Sequence, residues 1–369
     1  VVLARARQAL RDRFFAFFER ASVTDDGRRI AARCLDGLTD RRLMPVDAPP
    51  ESPYPELGRA ARVEDGGTAA PIFITARFRS GSTLLWNLFR HVDGCTAYYE
   101  PENERRWFDP AVRGTRVDAT HQGVEDYWRE YEGMEDLGRY FHAEWTVNRL
   151  YMDGDAWDPD LRRYLSELIA RARGRAVLQF NRMDFRLPWL RAHFPEARVV
   201  HLVRHPRDQW CSALVDPGRV PRDVETRDFG PHDHFYLLSW ARDLKYQFPF
   251  LDERTEPHPY RLFYYLWKLS YLYGITYADR SVRFEDLTAD ADGQIAGMMA
   301  AVGQVAYDAA RLRALVQRVP PRWDRFAPDS WYRAHEEACE ATLQGFLSAR
   351  GLLADGRRTG GARPGAPTV

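Results

Sequence analysis

Lysine is almost missing from this chain. Of 53 basic residues only Lys245 and Lys268 are lysines, and the other 51 are arginines. No lysine lies in a glycine-rich loop, so no P-loop lysine can grip a nucleotide β/γ-phosphate. Schiff-base chemistry has only two candidates. An excess of positive charge is also missing. The 53 basic residues face 53 acidic ones and the formal net charge is zero, which argues against a nucleic-acid partner. Cysteine is scarce: Cys34, Cys95, Cys211 and Cys339 are widely spaced, without a CxxC or any metal-ligand spacing. They read as buried free thiols of a reducing compartment. The "HDH" at 232–234 has no third ligand at a recognisable spacing and reads as a polar loop. No metal is expected. No uncharged stretch has membrane-spanning length. The opening "VVLARARQALRDRFFAFFERAS" is too broken by charge for a signal peptide. The expectation is a soluble, cytoplasmic protein with a trimmed start.

What is present is the balance of a globular protein, 45% hydrophobic and 29% charged over 369 residues. That length allows one large domain with extensions, or two domains. Residues 1–69 read as an N-terminal helical extension and linker: apolar positions Leu3, Leu10, Phe14, Phe17 and Phe18 have helical spacing, and 44–58 is rich in proline and acid. The core begins near 70, and 346–369 reads as a tail with a disordered end. Apolar runs at 71–76, 96–100, 176–182, 197–204 and 281–287 read as buried strands. Helix signals follow near 82–92, 186–194, 206–214 and 290–302. The alternation predicts an α/β, three-layer fold, with a central parallel sheet flanked by helices. In such sheets ligands bind beyond the carboxyl ends of the strands. The stretches 101–165 and 216–280 carry little strand signal and many aromatics. Those at 260–273 have the helical spacing of core packing, and some are available to line an acceptor pocket.

Chemically distinctive residues sit at those strand ends. "ARFRSGSTLL" (76–85) runs from a buried strand into a helix. A helix N-terminus offers unpaired N–H groups and partial positive charge. Gly81 permits close approach, and Ser80, Ser82, Thr83 and the start of the helix at Leu84 surround it. Arg77 and Arg79 add cations. The stretch reads as a phosphate cradle; the plainer alternative is a strand–helix turn with a serine cap. In "HLVRHPRDQWCSAL" (201–214), Arg204 ends a strand and Ser212 lies two turns into the following helix, so the two can hold one phosphate. The alternative is a surface arginine and an ordinary helix serine.

Together these motifs resemble the sulfotransferase family, whose donor is 3'-phosphoadenosine 5'-phosphosulfate and whose nucleotide product is 3'-phosphoadenosine 5'-phosphate. "RFRSGSTLL" resembles its 5'-phosphosulfate loop, with arginine where many members have lysine. Arg204 and Ser212 resemble its 3'-phosphate motif, and "VRFEDL" (282–287) its strand and acidic turn. The resemblance runs from about 70 to 345 and implies a catalytic domain over 70–345 with a P-loop-like topology. It is nearer the bacterial and Golgi-type branches, including tyrosylprotein and carbohydrate sulfotransferases, than the cytosolic phenol enzymes. It implies a catalytic glutamate at Glu100, in "AYYEPENER", with Glu102, Glu104, His121 and His142 as rivals. It implies that Asn181 and Arg182 lie near the transferred group. Arg182 and Arg79 would stabilise the leaving oxygen, although Arg182 could instead pair with Asp184 or a nearby carboxylate. The "RKG" element of cytosolic members is missing, and Arg322, Arg325 or Trp331 is the stand-in for that donor contact. The expected acceptor is a small molecule, sugar or lipid bearing a hydroxyl or amine; a homodimer is possible. A P-loop kinase or nucleotide hydrolase, and a non-catalytic nucleotide-binding scaffold, remain as alternatives.

Overall fold

The structure is a computed structural model describing residues 70–121, 123–304 and 306–349. The expected N-terminal helix and linker, the end of the tail and Cys34 lie outside the described residues. Five strands form one parallel sheet: β1 (Ile72–Ala76), β2 (Cys95–Tyr99), β3 (Arg175–Phe180), β4 (Arg198–Val203) and β5 (Arg280–Arg283). Their spatial order is β2-β3-β1-β4-β5. In chain order the helices are α1 (Ser82–Arg90), α2 (Pro110–Arg113), α3 (Pro159–Arg171), α4 (Leu187–His193), α5 (Pro206–Ala213), α6 (Leu237–Leu244), α7 (Pro259–Tyr277), α8 (Phe284–Ala289), α9 (Ala291–Ala301), α10 (Ala309–Ala314) and α11 (Asp329–Ala349). Helix α1 packs on β1 and β2, α3 on β3, α7 on β4 and β5, and α8 and α9 on β5. This is an α/β fold, a central parallel sheet flanked by helices.

β1 and β3 are buried along their whole length, as strands covered on both faces must be. β1 sits at the centre, pairing Ile74 with Gln179 of β3 and with Val200 of β4. The chain leaves β1, forms β2 two places away, and returns through β3; β4 then adds on the opposite side. The end of β1 is therefore the point where strand order reverses, flanked by the ends of β3 and β4. β5 is shorter than the 281–287 run suggests. It ends at Arg283, and Phe284 opens α8 with Glu285 and Asp286 in its first turn, where the helix N-terminus favours acids.

Proline starts α5 and α7, where a missing N–H is harmless. Gly274 lets α7 lie against β4: a Cβ there would run into the His201 ring. His201 is buried, with Nδ1 facing the Ser281 hydroxyl at 3.1 Å. Burial pushes its pKa down from 6.5 to about 4. His335 is held neutral in the same way, beside His258 and Arg261, at about 4. The unfolded chain takes up protons below pH 6.5 that the folded chain refuses, so stability is full above that pH and falls as the pH drops toward 4. For His201 alone the loss is on the order of 3 kcal/mol. Urea unfolding at pH 7.5 and pH 5 should show this fall, and His201→Gln, which cannot titrate, should flatten part of it.

Candidate functional site

The loop after β1 turns through Arg79 at φ 65° and Gly81 at φ 98° before α1 begins. Gly81 occupies the N-cap position and no side chain caps the first turn of α1. The plain serine cap is thus not the arrangement found. A Cβ on Gly81 would run into Phe284, so this position needs glycine for its backbone and for its neighbour. Ser80 is buried and engaged within the turn, its hydroxyl donating to the Arg77 carbonyl at 2.6 Å. Ser82 and Thr83 are buried in the first turn of α1, with Leu84 partly buried behind them. The Thr83 hydroxyl meets Tyr99 Oη at 2.9 Å and His121 Nε2 at 3.3 Å.

The two anion motifs converge. Arg204 Nη1 donates to the Arg79 carbonyl at 3.0 Å, and Arg79 Nε donates to Ser212 Oγ at 3.0 Å. The Arg204 guanidinium stacks on Phe284, 5.0 Å from the ring centre, while its Nε is buried without a partner. Burial lowers the Arg204 pKa, with Asp208 and Glu285 opposing. Glu285 accepts the His205 N–H at 2.9 Å, and Gln209 Nε2 donates to the Phe78 carbonyl at 2.8 Å. So "FED" is a platform: its phenyl ring supports both Gly81 and Arg204, and its glutamate fixes the start of α5. Arg79 also reaches Asp118 across the mouth of the loop, at 3.6 Å.

Beyond β2 and β3 lies a second cluster. β3 stands between β2 and β1, so the end of β3 lies between Glu100 and the first loop. Glu100 is buried at φ 38°. It accepts from Asn181, from Asn103 Nδ2 at 2.7 Å and from Arg182 Nη1 at 3.0 Å. Arg182 does not pair with Asp184. Its other arm meets the half-exposed Glu104 at 2.7 Å, and Tyr236 Oη donates to Glu104 at 2.6 Å. Asp184 instead accepts from Thr75 and Ser270 at 2.6 and 2.8 Å. The Arg182 guanidinium lies 4.9 Å from the ring centre of Phe78, which joins this cluster to the first loop.

The remaining residues divide. Glu102 is fully paired with Arg186 at 3.1 Å, and burial raises its pKa to about 7. Arg186 also binds the carbonyls of Trp145 and Asn148, so this pair holds the wall of the site. His121 is at the loop, beside Thr83. His142 pairs with Asp160 at 2.8 Å instead. The segment near 320 is brought in by Asp208, which accepts the N–H groups of Arg322 and Trp323 at 2.7 and 3.2 Å. The Arg322 charge acts on Arg204. Arg325 is exposed. Trp331 packs against His335 and Tyr260, at 4.4 and 5.3 Å between ring centres. Asp233 of "HDH" caps α6, accepting from Leu237 and Leu238 N–H at 2.8 and 2.9 Å. Among the described residues no group of three His, Cys, Asp or Glu could hold a metal, and Cys95, Cys211 and Cys339 are free thiols. Asp118 and Tyr236 reach the site from loops distant in sequence, Tyr99 from the end of β2 and Gln209 from within α5, and no local pattern marks their contacts.

No curated protein sequence matches the chain. Among solved structures it is similar to a sulfotransferase from Alicyclobacillus acidocaldarius, at 16% identity over 76% of this chain and 96% of that one, TM-score 0.36. It is similar to sulfotransferase STF1 of Mycobacterium tuberculosis H37Rv, at 18% identity over 77% and 79%, TM-score 0.38. It is also similar to sulfotransferase STF9 of Mycobacterium avium, at 14% identity over 80% and 79%, TM-score 0.40. A family model described as "Sulfotransferase family" matches residues 71–255. That match takes in half of the chain, and with it both anion motifs and the Glu100 cluster. The chain belongs to the sulfotransferase family and is an enzyme of sulfuryl transfer.

Proposed function

We propose that the enzyme takes its sulfuryl group from 3'-phosphoadenosine 5'-phosphosulfate and passes it to a hydroxyl of a small acceptor, within a unit spanning 70–345. The observation that carries this reading is the convergence of Arg79, Gly81, Arg204 and Ser212. Two anion sites of different origin meet at one strand-order reversal, as a ligand with phosphates at both its 3' and 5' positions requires. The unpartnered Arg204 Nε and the uncapped start of α1 suit such a ligand. Arg204, Ser212 and the nearby charge of Arg322 would take the 3'-phosphate. The first-turn N–H groups at Ser82, Thr83 and Leu84, with Arg79, would take the 5'-phosphosulfate. Arg325 and Trp331 are the weaker donor contacts, one exposed and the other packed among aromatic rings.

In the reaction the acceptor oxygen bonds sulfur as its proton passes to the Glu100 carboxylate. The bond from sulfur to the 5'-phosphate oxygen breaks, and its electron pair stays on that oxygen. Arg79 and the α1 N-terminus hold the charge that develops there. Arg182 faces the transferred group and keeps Glu100 in place. Glu104 anchors Arg182 from the other side. A kinase is disfavoured, because the loop has no lysine to grip phosphates.

Calorimetry with 3'-phosphoadenosine 5'-phosphate, with 5'-AMP and ATP·Mg²⁺ as controls, tests the donor. Wild type should bind the bisphosphate best. Arg204→Ala should weaken it by about 10- to 100-fold, the worth of one charge-assisted contact. Preference for ATP·Mg²⁺, or indifference to the 3'-phosphate, would overturn the reading.

A further inference from the structure

Beside the donor loop lies a cleft that the donor reading does not use. We propose that it takes the acceptor, that Arg77 binds a carboxylate on it, and that the preferred acceptors are therefore hydroxyl compounds with a flat apolar body and an acid group. This rests on the sulfotransferase reading above.

The cleft holds about 380 Å³, counting the space open to solvent. Its walls come from α5, α7 and the loop before α6, and include Trp210, Leu214, Phe229, Phe235 and Phe263; Arg77 and Phe78 also line it. Such walls suit a flat apolar body. His232, Asp233 and His234 line the loop side, and Arg77 is the buried charge among the walls. It is only 6% exposed, and its Nε and Nη1 have no hydrogen-bond partner. The Trp240 ring lies 4.8 Å from its guanidinium. The nearby countercharge is Asp184, but its oxygens accept from Thr75 and Ser270. Burial still lowers the Arg77 pKa to about 10. A buried guanidinium left short of partners is costly. A ligand carboxylate supplies what is missing, and two oxygens suit the planar fork.

The place is right for an acceptor. Phe235 of the cleft also carries the Arg79 guanidinium, at 5.7 Å, and Phe78 carries that of Arg182, at 4.9 Å. Two rings of the cleft therefore touch the two arginines proposed to meet the transferred group. Strain marks both rims: Val215, next to Leu214, has φ 63°, and Tyr236, between Phe235 and Leu237, has φ 63°. Left-handed backbone at a valine and a tyrosine persists only where surrounding structure enforces it, and such residues gather at ligand sites. Asp233 also borders the cleft, but both its carboxylate oxygens are engaged in capping α6. Arg77 thus moves from the donor side, where its motif suggested it, to the acceptor side.

The test compares 4-hydroxyphenylacetate with 4-methylphenol, which share a phenol and differ by the carboxylate. With 3'-phosphoadenosine 5'-phosphosulfate as donor, wild type should favour the acid by about tenfold in kcat/KM, mainly through KM. In Arg77→Gln that ratio should fall to near one, and Arg77→Lys should keep part of it. Binding of 3'-phosphoadenosine 5'-phosphate to Arg77→Gln should stay close to wild type. Wild type with no preference for the acid, or a preference kept in Arg77→Gln, overturns the proposal. Loss of bisphosphate binding in Arg77→Gln also overturns it, by assigning the cleft to the donor. Should Arg77→Gln not fold, wild type alone decides: phenylacetate should inhibit competitively against 4-methylphenol about tenfold more tightly than benzyl alcohol does, and equal inhibition by both overturns the idea. Failure of the donor reading is seen separately, as bisphosphate binding indifferent to Arg204→Ala.

Discussion

Glu100→Gln should lower turnover by about 10²- to 10⁴-fold at saturating donor and acceptor, the usual contribution of a positioned general base. The amide keeps the shape but cannot take the acceptor proton. Its oxygen can still accept from Asn181, and Arg182 keeps Glu104 at 2.7 Å, so the cation is not left alone in the interior. The new amide N–H₂ faces Asn103 or Arg182, both donors, and a modest drop in melting temperature is expected. Donor-product affinity should be close to wild type. The paired variant Glu104→Gln separates the two carboxylates. Glu104 binds Arg182 and Tyr236 and is half-exposed, so its loss should loosen Arg182 and lower turnover much less. Full turnover in Glu100→Gln, with a strong loss in Glu104→Gln, would transfer the role of base to Glu104. Full turnover in both would remove the base from this cluster.

Gly81→Ala should weaken binding of 3'-phosphoadenosine 5'-phosphate by about 10²- to 10³-fold, the loss of two or more charge-assisted contacts. Two effects act together. A φ of 98° is strained for any residue with a Cβ, and the added methyl meets the Phe284 ring. That ring is also the platform under Arg204. Pushing it displaces the arginine proposed to hold the 3'-phosphate while the loop around α1 shifts, so one methyl group disturbs both ends of the proposed donor site. The sheet beneath is untouched, and the protein should stay folded by circular dichroism. Calorimetry on the variant decides it: affinity within about threefold of wild type would mean that Gly81 is a turn residue with no part in holding the ligand.

The strands were readable because each is an apolar run between turn signals. Expected strand 176–182 is Arg175–Phe180 and expected strand 197–204 is Arg198–Val203. Their C-terminal ends fall short of the expected bounds, because Asn181, Arg182 and Arg204 lie in the loops that follow. "VRFEDL" misled in one respect. Phe284 is apolar enough for a strand, but its ring supports Gly81 and Arg204 from the first turn of α8, a contact that spans some 200 residues of chain. The pairing of Arg182 was also hidden. Asp184 is near in sequence, while Glu100 and Glu104 are near only once β3 lies beside β2.

The sequence by itself determined the layered α/β architecture, the two anion motifs and the absence of a P-loop lysine. Each of these depends on residues within one turn or one strand, where periodicity, helix-end chemistry and glycine freedom are local. Tertiary structure alone decided the strand order, which puts β1 at the centre and joins Arg79 to Ser212 and Arg204. It also decided which carboxylates hold Arg182, and that Arg77 lines an aromatic cleft short of hydrogen-bond partners. These depend on which strand ends become neighbours, and burial prices a charge by everything around it, not by its place in the chain.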